Sequence, residues 1–149
     1  MPARSHIPPG FQAINPYLIV KGADKLIAFL EKTFDAKEAI RIVMPSGLIG
    51  HAEYRIGASV VELAEATDEW QPMPASLHIY VEKIDECYAK AVAAGGETIS
   101  DPRDQFYGER SASVRDPVGN IWHIATNTED LSNEEIQRRA EAYFRENSE

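Results

Sequence analysis

The residues best suited to chemistry are three histidines, His51, His78 and His123, each in a segment where apolar and polar side chains alternate. Such alternation predicts strands, in which every second side chain points to the same face of a sheet. The apolar residues occupy one face in each segment, so the histidines share the opposite face with Glu53 and Glu62. Imidazole and carboxylate are ligands that proteins use for Zn²⁺, Fe²⁺, Mn²⁺ and Ni²⁺. The pattern therefore predicts a polar face that binds a divalent ion, a small organic ligand or both.

Glu62 and His123 are the main candidates for metal ligands, because they occupy equivalent places in two similar stretches of the chain. His78 is a third candidate ligand, in the strand that begins the second stretch. Other side chains are interpreted as the lining of a ligand cavity: Asn15, Tyr17, His51, Glu53, Arg55, Ser76, Tyr80, Phe106, Tyr107 and Arg115. No residue is assigned as catalytic, because the sequence contains no serine nucleophile motif, phosphate-binding glycine loop or zinc-finger spacing.

Several of these side chains also fit structural roles, and the sequence leaves both interpretations open. His51 can form a hydrogen bond between strands, and His78 can be a polar wall of the cavity. Glu62 can form an ion pair with Arg55 or Arg115, although a buried pair adds little to stability.

An aromatic segment in the second half, Asp101–Gly108, is predicted as a polar excursion between strands. It contains Phe106 and Tyr107. The segment is either a lid over the cavity or an ordinary loop.

The elements that position these residues follow from hydrophobic periodicity and turn residues. The first half predicts a strand, a helix and three strands: Asn15–Val20, Ala23–Phe34, Lys37–Met44, Leu48–Ile56 and Ser59–Glu65. After a linker at 67–74, the second half repeats this order: Ala75–Glu82, Ile84–Ala94, Glu97–Ser100, Ser111–Arg115 and Asn120–Thr126. A last amphipathic helix is predicted at about 132–146, with Ser132 as its N-cap and Glu135 in a capping box.

The order βαβββ therefore occurs twice, at about 13–66 and about 75–127, and short motifs match between the copies. Tyr17–Val20 before the first helix corresponds to His78–Val81 before the second. Val60–Ala64 likewise corresponds to Ile121–Ala125, each after a tight turn. Because internal repeats decide architecture, the sequence predicts one α+β domain over 1–149, made of two tandem modules and a C-terminal helix.

The composition excludes several functional classes. The formal net charge of −9 repels phosphate backbones, so no nucleic-acid partner is expected. A hydrophobic content of 44% is enough for one core. The single cysteine cannot form an internal disulfide, which favours a reducing, cytoplasmic location. Residues 1–10 contain no apolar run, so neither a signal peptide nor a membrane partner is predicted.

Three motifs in this order resemble the glyoxalase/bleomycin-resistance (vicinal oxygen chelate) superfamily and its bacterial PhnB-like branch. They are the Asp-Pro-x-Gly turn within Arg115–Asn120, and the segments Gly50–Gly57 and Asp104–Arg110. The likeness covers roughly Ile14 to Asn127. It implies that each module's sheet packs its convex face on its helix and lines a ligand cavity with its concave face. Two modules, in one chain or across a homodimer, would complete the cavity.

The resemblance also implies where a metal would bind, because metal ligands in this superfamily lie on the first and fourth strands of each module. By the predicted register those positions are Asn15, Glu62, Ser76 and His123. Asn15 and Ser76 are poor ligands and depart from the metal-dependent pattern. His78 lies two residues beyond Ser76 on the same face, about 7 Å along the strand.

Two functions are implied. One is a glyoxalase-like isomerase or lyase, in which a divalent ion (Zn²⁺, Mn²⁺, Ni²⁺ or Fe²⁺) polarises an oxygen of a small substrate and a free carboxylate or histidine moves the proton. The other is a metal-free, bleomycin-resistance-like protein that sequesters a cationic or aromatic ligand, with Tyr17, Tyr80 and Phe106 stacking on it. In both cases the expected partners are a small-molecule ligand and a second copy of the chain.

Overall fold

The first module forms because apolar side chains of its strands and helix point into one interior. The computed structural model describes residues 1–148. Its first module consists of β1 (Tyr17–Val20), α1 (Ala23–Phe34), β2 (Lys37–Val43), β3 (Ile49–Ile56) and β4 (Ser59–Glu65). Leu18 and Val20 of β1 are buried, as are Leu26, Ile27 and Leu30 on one stripe of α1. The stripe covers one face of the sheet and leaves the other face open.

The second module repeats the same order and ends in an added helix. It consists of β5 (Ser76–Tyr80), α2 (Ile84–Ala93), β6 (Glu97–Asp104), β7 (Glu109–Arg115), β8 (Ile121–Asn127) and then α3 (Asn133–Glu146). The buried residues of α2 are Ile84, Cys87 and Ala91, again on one stripe. The predicted α+β fold of two βαβββ modules with a C-terminal helix is confirmed.

The two sheets have the same topology and the same register. Their strand orders are β1-β4-β3-β2 and β5-β8-β7-β6. The first strand of each module runs parallel to the fourth, with Tyr17 opposite Glu62 and His78 opposite His123. Paired residues of β1, β3 and β4 therefore have equivalent positions in β5, β7 and β8, and Glu62 corresponds to His123.

The apolar faces and helices of both modules meet in one core. The ring of Phe34 at the end of α1 lies 5.0 Å from that of Trp122 on β8, measured between centroids. The buried Cys87 thiol of α2 donates a hydrogen bond to the Thr33 carbonyl oxygen, and burial raises the pKa of this thiol to about 11. The opposite face of each sheet, called here the polar face, stays accessible: Tyr17 is 47% and Tyr80 63% exposed.

The polar excursion predicted at Asp101–Gly108 is wrong in its first half. Strand β6 runs through Asp101, Pro102 and Arg103 to Asp104, and β7 begins at Glu109 rather than Ser111. β6 is the edge strand of its sheet. An edge strand tolerates a proline, whose missing N–H costs no ladder hydrogen bond when it faces solvent.

The aromatic residues of this segment hold the C-terminal helix against module two. Phe106 stacks on Tyr143 of α3 with ring centroids 5.0 Å apart, and it meets Phe144 edge-on at 6.2 Å. The Ser132 hydroxyl accepts a hydrogen bond from the Glu135 amide, as the predicted N-cap requires. Within residues 1–148, no helix has the length and apolarity needed to cross a membrane.

Candidate functional site

His51 is the centre of the polar face of module one. Its Nδ1 lies 3.1 Å from the Tyr17 hydroxyl of β1, and its Nε2 lies 2.8 Å from a carboxylate oxygen of Glu53. Glu62, on the neighbouring strand β4, approaches the same Nε2 to 4.0 Å. The strand pairing brings these groups together, because Glu53 is directly opposite Glu62 and Glu62 is directly opposite Tyr17.

The raised pKa of Tyr17 indicates which atoms donate the hydrogen bonds around His51. The pKa of Tyr17 is raised above its ordinary value, first by burial and then by the negative charges of Glu62 and Glu53. Tyr17 therefore keeps its proton at neutral pH and donates it to Nδ1 of His51. Because Nδ1 accepts this hydrogen bond, we assign the ring N–H to Nε2, which donates to Glu53. The result is a chain of hydrogen bonds from a phenol through an imidazole to a carboxylate.

Two of these strands, β3 and β4, supply a potential metal-binding group. Among residues 1–148, one group of three histidine, cysteine or acidic side chains places its ligand atoms within 4.8 Å of one another. It consists of His51, Glu53 and Glu62. Their side chains are 24%, 22% and 21% exposed, so they are reachable from solvent but not fully hydrated. One imidazole and two carboxylates form a donor set suited to Zn²⁺, Mn²⁺ or Fe²⁺.

The polar face of module two is built around His123 on β8. Its Nδ1 is 2.7 Å from the Ser113 hydroxyl of β7, and its Nε2 is 3.0 Å from the Ser76 hydroxyl of β5. Ser113 lies opposite His123 in the ladder. Both ring nitrogens are therefore engaged by uncharged hydroxyls, in contrast to the carboxylate that meets His51.

A second group on module two lies further along the same face. The Tyr80 hydroxyl donates to Oε2 of Glu109 at 3.0 Å, and His78 Nε2 lies 3.5 Å from Oε1 of Glu109. The rings of His78 and Tyr80 are tilted against each other, with centroids 4.7 Å apart. The hydrogen bond to Glu109 is the main cause of a raised pKa at Tyr80, followed by burial.

The observed register corrects where the first strand of each module meets the fourth. Tyr17, not Asn15, lies opposite Glu62, and His78, not Ser76, lies opposite His123. Ser76 still reaches His123 through its hydroxyl, whereas the Asn15 side chain bonds the backbone of Gln12. The error is a shift of two residues, which keeps every side chain on its predicted face and therefore leaves no trace in the hydrophobic pattern.

The remaining predicted cavity residues are dispersed. Arg115 forms an ion pair with Glu97 at 3.7 Å, and the exposed Arg55 lies against Gly10 of the N-terminal segment. Within residues 1–148, neither arginine pairs with Glu62, whose nearest basic atom is Nε2 of His51. Phe106 and Tyr107 are 5.0 Å apart, edge to face, where α3 docks.

Two open cavities border the polar faces. A hollow of about 520 Å³ on module one is lined by Tyr17, Ile19, Ala64 and Trp70. A cleft of about 360 Å³ at the seam between the modules includes Asn15, His78 and Tyr80. Each is large enough for a small organic molecule.

Two site residues were missed from the sequence. Trp70, 60% exposed, was assigned to the linker, although an exposed aromatic residue beside a cavity is a signal for ligand contact. Glu109 was missed because it borders the segment predicted as an excursion. It is 8% exposed, and its carboxylate lies beside the Tyr80 hydroxyl and the His78 ring.

Comparisons with known proteins agree on the fold. An uncharacterized protein of Mycobacterium bovis is 29% identical over 136 residues, spanning 84% of this chain and 90% of the relative. Among solved structures, TioX from Micromonospora matches with a TM-score of 0.67 and 20% identity, over 78% of this chain and 98% of TioX. A PhnB protein from Bacillus cereus matches with a TM-score of 0.63 and 19% identity, over 77% and 99%.

A third solved structure carries a ligand. It is a mutant of the genomically encoded fosfomycin resistance protein FosX from Listeria monocytogenes, complexed with Mn(II) and 1S,2S-dihydroxypropylphosphonic acid. It matches with a TM-score of 0.59 and 20% identity, over 85% of this chain and 94% of FosX.

The family model extends this agreement to the sequence. The model of the Glyoxalase/Bleomycin resistance protein/Dioxygenase superfamily matches residues 11–124, which include both modules up to β8. The predicted resemblance is confirmed, and the chain belongs to this superfamily.

Proposed function

We propose that this chain is a homodimeric, metal-dependent member of its superfamily that binds a small organic ligand carrying neighbouring oxygen atoms. Glu62, His78 and His123 would hold the divalent ion. The ligand would lie between polar faces of module one and module two, against Tyr17, Tyr80 and the hollow beside Trp70.

One observation carries the proposal. The first and fourth strands of each module meet in the same register, and the four facing positions are Tyr17, Glu62, His78 and His123. Three of these four are metal-binding side chains. Two histidines and one carboxylate are the set that many non-haem iron enzymes use, and they leave coordination positions open for a ligand.

The side chains around these positions fit a metal ligand set. Ser113 holds Nδ1 of His123, which is the outer hydrogen bond that commonly orients a metal-binding imidazole. The other ring nitrogen meets only the Ser76 hydroxyl, which can turn away. When bound, a divalent ion would act as a Lewis acid on a ligand oxygen. The FosX structure, which holds Mn(II), supports a metal within this fold.

The chain's own groups beside Glu62 are placed to handle a proton. His51 lies between the Tyr17 hydroxyl and the Glu53 carboxylate. When Tyr17 passes its proton to Nδ1, the phenol oxygen can take a proton from the ligand, and Glu53 beside Nε2 stabilises the charge on the ring. This group is thus suited to proton transfer to or from a bound ligand, in an isomerase- or lyase-type reaction.

The distribution of the three proposed ligands supports a homodimer. Glu62 belongs to module one, whereas His78 and His123 belong to module two, whose polar face lies on a different sheet. On the same polar face as Glu62, Ile40 and Ile42 of β2 lie opposite Glu53 and His51 in the ladder and are 42% and 51% exposed. A second copy that brings its module two against this module one would bury these side chains and complete the ligand set.

A second candidate function is metal-free ligand binding, and it has its own supporting observation. Both nitrogens of His123 already have serine partners, so this histidine needs no metal. Exposed aromatic rings at Tyr17, Tyr80 and Trp70 would then stack on an aromatic or cationic ligand against the acidic side chains of module one.

Elemental analysis of protein purified without added metal or chelator separates the two functions, followed by calorimetry with Zn²⁺, Mn²⁺ and Ni²⁺. The metal-dependent function predicts that Glu62→Gln, His78→Ala and His123→Ala each nearly abolish ion binding, while His6→Ala in the N-terminal segment leaves it unchanged. If wild type binds no divalent ion, or if the Glu62 and His123 variants bind as tightly as wild type, the metal-free function replaces it.

The assembly is tested by light scattering at micromolar to millimolar concentration. We expect a dimer for wild type and a monomer for the double variant Ile40→Lys/Ile42→Lys, because two buried charges would oppose association. A wild-type monomer over this range would contradict the dimeric part of the proposal.

A further inference from the structure

Glu109, the first residue of β7, carries a carboxylate oxygen with an unusual environment. The residue is 8% exposed, and its side chain is 10% exposed. Oε2 accepts a hydrogen bond from the Tyr80 hydroxyl. Oε1 is fully buried and has no hydrogen-bond partner among residues 1–148. Its nearest basic atom is Nε2 of His78, at 3.5 Å.

Such an oxygen is costly to keep in a folded protein. A carboxylate loses its hydration when it is buried, and one hydrogen bond from a phenol replaces only part of it. Buried charges in stable proteins are paired with opposite charges or coordinate metal ions. Among residues 1–148, Oε1 has no hydrogen-bond donor to replace its lost hydration, and the imidazole of His78 is the basic group beside it.

The fold itself does not require an acid at this position. In module one the equivalent position is occupied by Ile49, because Ala52 pairs with Leu63 just as Ala112 pairs with Ile124. Ile49 is 6% exposed, so the same corner of the sheet accepts a buried apolar side chain. The carboxylate of Glu109 is thus a feature of module two alone, beside one of the three proposed metal ligands.

The spacing of the two atoms fits a shared cation. Donor atoms that lie about 2.0–2.2 Å from one ion are separated from each other by about 3.0–3.5 Å. Oε1 of Glu109 and Nε2 of His78 are 3.5 Å apart and are not hydrogen-bonded to each other. We propose that Glu109 is a further ligand of the divalent ion, binding it together with His78.

This inference rests on the proposed function, because it adds a fourth ligand to the divalent ion that Glu62, His78 and His123 are proposed to bind. With Glu109 the set contains two imidazoles and two carboxylates. The two negative charges balance a divalent cation, which makes its transfer from water into the partly buried site less costly. Zn²⁺ and Mn²⁺ are the ions that this mixed donor set suits.

The test measures the affinity of purified, metal-free protein for Mn²⁺ and Zn²⁺ by calorimetry, together with thermal unfolding with and without each ion. The variants are Glu109→Ile, which copies module one, and Glu109→Gln, which keeps the shape and an acceptor for Tyr80. Glu86→Gln on α2 is the matched control, since it removes an exposed module-two carboxylate away from the polar face.

Both Glu109 variants should bind the ions at least about tenfold more weakly than wild type, and Glu86→Gln should match wild type. Without ions, Glu109→Ile should unfold at the same or a higher temperature, because it removes a buried oxygen that has no hydrogen-bond partner among residues 1–148. Electron paramagnetic resonance of bound Mn²⁺ should change in Glu109→Gln, as expected when a carboxylate leaves the ion.

Two results would overturn the inference and leave the proposed function intact. One is wild-type ion affinity in Glu109→Ile and Glu109→Gln while Glu62→Gln and His123→Ala still lose the ion. The other is a lower metal-free unfolding temperature in both variants with unchanged affinity, which would make Glu109 structural. If wild type binds no ion at all, the proposed function fails with it. Should Glu109→Ile not fold, Glu109→Gln alone decides.

Discussion

The polar faces of the two modules carry opposite chemistry at equivalent positions. Module one has an acidic set with one imidazole: Tyr17, His51, Glu53 and Glu62. At the corresponding ladder positions, module two has imidazoles and hydroxyls: His78, Ser111, Ser113 and His123. At these four positions module one therefore supplies mainly carboxylates, and module two supplies imidazoles and hydroxyls. Complementary faces of this kind favour a site in which module one meets module two rather than its own copy.

The apolar faces of the same strands differ far less. Leu63 and Ile124 are equivalent, and both are fully buried. Ala52 and Ala112 are likewise equivalent and buried. Packing against the helices restricts these positions, because a buried side chain must match the volume left by its neighbours. The similarity between the two modules is therefore maintained by the apolar face of each sheet, whereas the residues of the polar face are free to differ.

The largest expected difference between the modules lies in the turns before β4 and β8. In module two, buried Asp116 accepts hydrogen bonds from the amides of Val118 and Asn120, from the Asn120 side chain and from the Trp122 indole. Asp116→Ala should lower the free energy of unfolding by roughly 3 kcal/mol or more, because four donors lose their acceptor. Urea unfolding at neutral pH measures this difference.

The corresponding turn of module one is tight and holds no such acid, since Ile56 and Ser59 pair directly across Gly57 and Ala58. Ala58→Ser should therefore change the unfolding free energy by less than about 0.5 kcal/mol. A loss for Asp116→Ala as small as that for Ala58→Ser would show that module two does not depend on its aspartate.

The comparison also shows which features the sequence could specify. Burial of alternate residues fixed the faces correctly, as Leu18 and Val20 inside and Tyr17 outside demonstrate. Alternation cannot fix the register between distant strands, because a shift of two residues preserves the pattern. For that reason Asn15 and Ser76 were expected at positions that Tyr17 and His78 occupy.

Residues that depend on tertiary context were harder to predict. Asp101, Pro102 and Arg103 have the composition of a loop, yet β6 passes through them because it is an edge strand. Glu109 is an acid at the start of a strand, and no local pattern indicates that it is buried. The histidine and glutamate face was predictable by parity, whereas the partners of each histidine were not.

The next difference concerns how each module caps its helix. Glu65 accepts hydrogen bonds from the amides of Gly22 and Ala23 at the start of α1. At the equivalent position Thr126 accepts from the Ile84 amide of α2 and donates to the Val81 carbonyl oxygen. Glu65→Ala should cost about 1–2 kcal/mol and Thr126→Ala about 1 kcal/mol of unfolding free energy.

Salt separates the two caps. A carboxylate at a helix N-terminus acts partly through its charge, which salt screens, whereas a hydroxyl does not. In chemical unfolding by urea, the loss for Glu65→Ala should shrink when sodium chloride is raised, and the loss for Thr126→Ala should stay constant. The same salt dependence in both variants would argue that the two caps work alike.

The smallest expected difference is in the phenols of the two polar faces. Tyr17 and Tyr80 both have a pKa above their ordinary value of 10.0, but for different main causes. At Tyr17 the main cause is burial, with Glu62 and Glu53 adding to it. At Tyr80 it is the hydrogen bond to Glu109. Glu109→Gln should therefore return the pKa of Tyr80 most of the way to 10.0, while Glu62→Gln should lower the pKa of Tyr17 only in part.

Carbon-13 NMR of the tyrosine ring carbons, assigned with Tyr17→Phe and Tyr80→Phe, measures both titrations. Because each folded-state pKa is raised above that of the unfolded chain, each phenol contributes stability that is complete below about pH 10. That contribution is lost as the pH rises through the raised value, so in the two variants the loss should be smaller and should end at a lower pH. If Glu62→Gln removed the whole shift at Tyr17, its charge rather than burial would dominate, and the polar face of module one would be more open than its 21–24% exposed side chains indicate.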